Sequence, residues 1–122
     1  MERLELIMKN VREFMIMEIK EINEFIENEI KRLEKYYEGK DENELTMAMG
    51  FKVVEEVGEL FHEFLSHKGY QRKDKLDKFD KEEIRKEFAD VIFTVLIMAK
   101  RFDVDIEDAI KIKMEEIKKR VY

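Results

Sequence analysis

The stretch Leu4 to Tyr37, LELIMKNVREFMIMEIKEINEFIENEIKRLEKYY, places apolar side chains at three- and four-residue steps, among them Ile7, Val11, Phe14, Met15, Ile22, Ile26, Ile30 and Leu33. That spacing keeps them on one side of an α-helix and excludes a strand, whose side chains alternate with period two. No Gly or Pro interrupts the stripe before Gly39. It therefore reads as one continuous helix of roughly 50 Å at about 1.5 Å per residue. The remaining segments offer nothing of that length to cover it. Part of it is expected to bend back or to pack on another subunit.

The composition extends the helical reading to the whole chain. Of 122 residues, 44% are charged and 44% hydrophobic, with no Pro, no Trp and four Gly, which suits long amphipathic helices and lacks the punctuation of strands. The length fits one small domain. A net charge of −6 supplies no basic field for a nucleic-acid backbone, so no nucleic-acid partner is expected. Without Cys there is no disulfide framework, thiolate zinc site or thiol nucleophile. The longest apolar run, Val91 to Ala99, is too short for a membrane span, so no membrane partner and a cytoplasmic location are expected.

Gly39 to Asn43 breaks the first pattern, and a second helix is expected from about Glu44 to Ser66, with Val53, Val54, Val57, Leu60, Phe61, Phe64 and Leu65 as its apolar face. His67 to Phe79 carries Gly69 and mixed charges and reads as an exposed, mobile loop. Asp80 with Glu83 three residues on resembles a capping box and opens a third helix to about Arg101. Asp105 can cap a fourth, from Ile106 to about Arg120, with Lys118, Lys119 and Arg120 at its negative end.

Two acidic phrases lie on the second and third of these helices: Glu55-Glu56-Val57-Gly58-Glu59 and Glu87-Phe88-Ala89-Asp90. Acids three residues apart lie one turn along a helix and on adjoining faces, so each phrase aims its carboxylates at one patch. Brought together, the patches would form an oxygen-rich site for a hard divalent cation, which removes the repulsion between crowded like charges. The plainer reading is a solvated helix face. It suits Glu55, Glu56 and Glu59, which fall on the helical wheel with Lys52, His62 and Glu63, opposite the expected apolar face. It suits Asp90 less well, because the turns after it are apolar on nearly every side and are expected to be buried. Glu59 and His62 form a Glu-x-x-His pair, but no second pair exists to build a di-iron centre. The lone Ser66 lacks a nucleophile-elbow setting, and no glycine-rich phosphate loop occurs.

Read together, Glu55-Glu56-x-x-Glu59 followed by Glu87-x-x-Asp90 resembles the signature of the MazG-like all-α nucleoside triphosphate pyrophosphohydrolases. The flanking Val54, Val57, Gly58 and Leu60, then Val91, then Asp105-Ile106-Glu107-Asp108-Ala109 leading to Lys113, follow the same order over about residues 30 to 120. The resemblance implies one all-α domain of four-helix-bundle type, with residues 1 to 30 a helical extension lacking a counterpart, assembled as a homodimer or homotetramer. It implies hydrolysis of a nucleoside triphosphate to the monophosphate and pyrophosphate with Mg²⁺, or Mn²⁺ in its place. Carried over by position, Glu56, Glu59, Glu87 and Asp90 match metal ligands, Glu55 an acid that orients or deprotonates the attacking water, and Lys113 and Arg120 basic positions near the phosphates. Ile117 departs from the pattern, standing where relatives often carry an Asn thought to contact the nucleotide. Phe51 and Tyr70 are candidates to stack on a base, and Gly58 is expected to let a neighbouring helix approach beside the ligands. Two other readings stay open: a phosphoribosyl-ATP pyrophosphatase, and a non-catalytic helical adaptor that uses its long first helix to bind a partner.

Overall fold

In a computed structural model, residues 1–76 and 80–122 are described, and of these the side chains of residues 11–15 are excepted. Among the described residues the chain forms six helices and no strand: α1 Glu2–Met15, α2 Ile19–Tyr36, α3 Glu42–His67, α4 Lys73–Leu76, α5 Lys81–Arg101 and α6 Ile106–Lys118. Among the described residues no helix is long and apolar enough to cross a membrane. The chain divides into two compact units, Met1–Tyr36 and Tyr37–Tyr122.

The first unit corrects the expected continuous helix. The stripe is interrupted at Ile16, Met17 and Glu18, where the helix stops and Glu18 becomes the acceptor for the first amides of α2. Ile26 and Ile30, one turn apart on α2, are buried. The stripe positions Val11, Phe14 and Met15 lie outside the described side chains.

In the second unit the local signals act as read. Asp80 Oδ1 accepts from the Glu82 amide at 2.9 Å and Asp105 Oδ1 from the Asp108 amide at 3.1 Å, so both aspartates cap the helices they precede. The reciprocal half of a capping box is absent at α5, because the Glu83 carboxylate binds Lys86 instead. Asp41 caps α3 in the same way, through the amides of Asn43 and Glu44. The C-termini of α3 and α5 close alike: the Tyr70 amide reaches Leu65 O and the Val104 amide reaches Ala99 O, with Gly69 and Asp103 in the left-handed conformation between them. Gly adopts that conformation freely and Asp is one of the few other residues to tolerate it. The expected loop contains α4, and its last residues, 77–79, lie outside the described residues.

The unit is built on α3 and α5, which pack against each other in antiparallel register. Arg101, at the end of α5, meets the start of α3: its guanidinium donates to Glu42 at 2.7 Å and to Thr46 at 3.3 Å. The guanidinium side chain is only 10% exposed whereas Glu42 is 80% exposed, so the contact fixes register more than it adds Coulomb energy. Further along, Met98 lies against Gly50, and Asp90 and Glu87 lie beside Glu56.

Three expectations about packing are corrected. Gly58 is not where a neighbouring helix approaches, since a Cβ there would meet nothing within 4 Å; the close approach is at Gly50, where a Cβ would sit 3.0 Å from Met98 Cε. Gly50→Ala is expected to be nearly neutral because the flexible Met98 tip can shift, while Gly50→Leu overpacks the contact and costs about 1–3 kcal/mol in a denaturant melt. The α3 residues read as one apolar face divide into half-buried Val53, Val57 and Leu60 and exposed Val54, Phe61, Phe64 and Leu65. The apolar turns of α5 after Asp90 are not buried all round either: Ile92 and Val95 are exposed.

Candidate metal centre

Antiparallel packing is what brings the two acidic phrases together. Glu56 lies on the side of α3 that faces α5, one turn before Leu60, and Glu87 and Asp90 lie on the side of α5 that faces α3. One carboxylate oxygen from each of the three falls within 4.8 Å of the other two. Glu56 and Glu87 are half-buried and Asp90 is exposed, so the cluster has a closed floor and an open side. The expectation that Glu56 belongs to a solvated face is thereby corrected: α3 is covered on its α5 side, and Glu56 borders that side.

Two atoms define the chemistry of the floor. Glu56 Oε2 and Glu87 Oε2 are sealed from solvent and accept no hydrogen bond. A buried carboxylate oxygen with no donor is costly unless protonated or bound to a cation. Burial pushes the Glu56 carboxyl above the usual carboxylate range, and the charges of Glu59, Asp90 and Glu87 push it further. Glu87 is raised likewise, by burial first, then by Glu59, Asp90, Glu63 and Glu83. These residues therefore fit a hard divalent cation: all donors are carboxylate oxygens, which favour Mg²⁺ or Mn²⁺ over softer metals, and two of them lack any other partner.

The other candidate residues are placed less directly. Glu59 is exposed and outside the three-acid group, yet its charge is felt by both Glu56 and Glu87. Glu55 is outside the three-acid group and pairs with Lys52 at 3.0 Å. Lys113 binds Glu116 on its own helix at 2.7 Å, and Arg120 lies beyond the end of α6, its amide donating to Ile117 O. Neither is part of the acid cluster. Phe51 is 66% exposed and Tyr70 79% exposed, and Phe51 falls about 140° around α3 from Glu56. His62 is held in a polar contact, with Gln71 Nε2 3.4 Å from its Nδ1 and donating to its carbonyl oxygen at 3.4 Å. Two acids read in the sequence only as a solvated-face residue and a helix-start residue also act on Glu87: Glu63, one turn after Glu59, and Glu83, one turn before Glu87. Four-residue spacing from the phrases was the signal for both.

The raised carboxyls set a pH dependence with a definite sign. A carboxyl whose folded value lies above its unfolded value adds stability fully below the ordinary carboxylate range, and that stability is lost as pH rises through the raised value. Cation-free protein is therefore expected to lose the contribution of Glu56 and Glu87 as pH rises above the ordinary glutamate range and through their raised values. A cation opposes this only once the acids ionise. Thermal melts with Mg²⁺ or EDTA should coincide in acid and separate at neutral pH, by about 2.7 kcal/mol at a hundredfold excess over Kd. Curves that stay superimposed at neutral pH would rule out the site.

Comparison of the chain with protein-family models, with curated proteins and with solved structures gave no match in any of the three.

Proposed function

We propose that this chain is a divalent-cation-dependent nucleotide pyrophosphohydrolase, cleaving a ribo- or deoxyribonucleoside triphosphate to the monophosphate and pyrophosphate. The observation that carries the reading is the convergence of Glu56, Glu87 and Asp90 from two helices, with two sealed oxygens lacking donors. Glu59 joins them as a fourth ligand, its charge already acting on both glutamates. When bound, a cation such as Mg²⁺ or Mn²⁺ neutralises phosphate oxygens and lowers the pKa of water. The chain's own part is to hold four carboxylates in a half-closed cleft and to leave Asp90 facing solvent, where a triphosphate can reach it. Water adds its oxygen to the α-phosphorus as the α–β anhydride bond breaks, and pyrophosphate leaves. Glu55 takes the proton of that water after releasing Lys52, and Lys113 and Arg120 meet phosphate oxygens. In this reading the unit is of four-helix-bundle type and works as a homodimer or homotetramer.

The test is a panel of ribo- and deoxyribonucleoside triphosphates with Mg²⁺, read by pyrophosphate release. Turnover of phosphoribosyl-ATP with none of the free triphosphates would transfer the reading to a phosphoribosyl-ATP pyrophosphatase. Glu55→Gln separates the two roles of the first phrase. Its carboxylate lies outside the cluster, so cation affinity should stay within about twofold while turnover falls by the 10²–10⁴ typical of general-base removal. A loss of cation affinity would instead place Glu55 among the ligands.

A second reading draws on α1, where Leu4, Leu6, Ile7 and Met8 are exposed. A helix with such a face suits a helical adaptor that binds a partner through its amino-terminal unit. Absence of cation binding in titration calorimetry, with no pyrophosphate release from any nucleotide, would favour it.

A further inference from the structure

Beyond the end of α3 the sign of the charge reverses. The chain carries −6 overall, yet Lys68 to Leu76 holds four cations, Lys68, Arg72, Lys73 and Lys75, against the single acid Asp74. Lys68 is accounted for by its place at the C-cap of α3, where the helix dipole favours a positive charge. The other three stand past that end and need another reason. Arg72 and Lys73 are exposed and Lys75 is half-buried. Arg72 lies 3.7 Å from Asp74, a loose pair in which both side chains are exposed and screened by solvent. Lys73 and Lys75 form no ion pair among the described residues.

The fold turns this segment back along α3. After the left-handed Gly69, the Tyr70 amide donates to Leu65 O at 2.8 Å, and Gln71 Nε2 lies 3.4 Å from His62 Nδ1 and donates to His62 O at 3.4 Å. At about 100° per residue, Glu56, Glu59 and His62 step round α3 in one rotational sense, about 60° at a time, away from half-buried Val57 and Leu60. On α5, Asp90 is displaced from Glu87 by about 60° in that same sense, away from half-buried Val91. In an antiparallel pair, equal senses lead to the same side. Glu59, His62 and Asp90 therefore share one flank, and Gln71 fastens the basic segment to it at a level about 9 Å along α3 from Glu56 and about 4.5 Å from Glu59. The flank onto which the acid cluster opens is the flank that carries the cations.

We infer that the segment from Tyr70 to Lys75 grips the β- and γ-phosphates of the triphosphate, with Arg72 and Lys73 meeting the pyrophosphate that leaves and Gln71 positioning the segment against His62. The assignment deepens the pyrophosphohydrolase proposed above and rests on it. Charge balance calls for such a grip. The carboxylates of Glu56, Glu59, Glu87 and Asp90 already offset the charge of the cations they would hold, so little positive charge is left for a triphosphate. The terminal phosphates concentrate the nucleotide's charge and offer no apolar surface, which suits long cationic side chains at the rim of a cleft. As the α–β bond breaks, negative charge grows on the departing β-phosphate oxygen, and cations placed there bind the transition state more tightly than the substrate.

The test compares the full-length wild type with Arg72→Gln combined with Lys73→Gln, and with the charge-keeping pair Arg72→Lys and Lys73→Arg. Four quantities are measured: kcat/KM for the triphosphate that the wild type turns over, the inhibition constants of pyrophosphate and of the corresponding nucleoside monophosphate, and Mg²⁺ affinity by calorimetry without nucleotide. In the glutamine variant kcat/KM should fall and the pyrophosphate inhibition constant should rise, each at least about tenfold, as two charge-assisted contacts are lost. Its Mg²⁺ affinity and monophosphate inhibition should stay within about twofold, and the charge-keeping pair should restore pyrophosphate inhibition to within about threefold. Both positions are exposed, so the helix content seen by circular dichroism should not change. An active wild type whose glutamine variant keeps its pyrophosphate inhibition overturns the grip and leaves the pyrophosphohydrolase standing. So does a variant in which the monophosphate weakens as much as pyrophosphate, or in which Mg²⁺ affinity is lost. A wild type that binds Mg²⁺ yet neither turns over any triphosphate nor binds pyrophosphate overturns the pyrophosphohydrolase and the grip together.

Discussion

Glu56→Gln is expected to abolish cation-dependent pyrophosphate release and, in the same protein sample, to raise the melting temperature of the cation-free form. The two effects have one cause. Glu56 stands half-buried among Glu59, Glu87 and Asp90, with Oε2 sealed from solvent and without a donor. Without a cation it is held near like charges in a place that disfavours ionisation, so an uncharged amide of similar shape relieves repulsion. With a cation, the substitution removes a ligand. Loss of groups that only orient a ligand already costs 10–100-fold in metal affinity or activity, so loss of the ligand itself should cost at least about a hundredfold. Asp90→Asn should lose activity to the same degree with a smaller gain in stability, because Asp90 is exposed and its repulsion is screened by solvent. The measurements are pyrophosphate release with Mg²⁺ and thermal melts in EDTA. A Glu56→Gln protein that melts lower in EDTA and keeps its turnover would make the residue an ordinary structural acid.

The largest loss of stability is expected at Leu45 and Met49. They are the buried hydrophobic side chains among the described residues of the second unit, 6% and 7% exposed, and they sit one turn apart at the start of α3. Truncating either to Ala removes its transfer energy and leaves a cavity, about 2–5 kcal/mol. For a unit of this size each kcal/mol shifts the midpoint by about 4–8 °C, so a fall of roughly 10 °C or more is expected. Leu45→Met, which keeps the volume, should cost under about 1.5 kcal/mol. Equal losses from Leu45→Ala and Leu45→Met would show that shape rather than cavity volume governs the position.

Much of the local structure was legible from particular residues. Asp80 and Asp105 announce helix starts because a short side-chain oxygen can satisfy an amide that the helix leaves open, and this needs no other part of the molecule. Gly39 and Gly69 mark breaks for a similarly local reason, both standing at positive φ. The interruption at Ile16 to Glu18 was not legible, since apolar periodicity continues almost unchanged through it and no Gly or Pro marks the place.

The acidic phrases show the same division. Their spacing alone determined that Glu56 shares a helix face with Glu59 and that Glu87 shares one with Asp90, because helical pitch is a property of the backbone. Which face of α3 is covered was beyond the sequence. A helix with apolar residues on two sides does not record which side its neighbour takes, and Glu56 falls with the solvated residues or beside the buried floor according to that choice. The antiparallel register of α3 and α5 made the choice. Arg101 at Glu42, Met98 at Gly50 and Asp90 beside Glu56 follow one another along the pair, and that register brings the carboxylates of Glu56, Glu87 and Asp90 together. The sequence by itself determined helices, their caps and the supply of acids, all of which depend on neighbours a few residues away. The tertiary structure decided which acids meet and which apolar faces stay uncovered, because both depend on contacts between residues thirty or more positions apart.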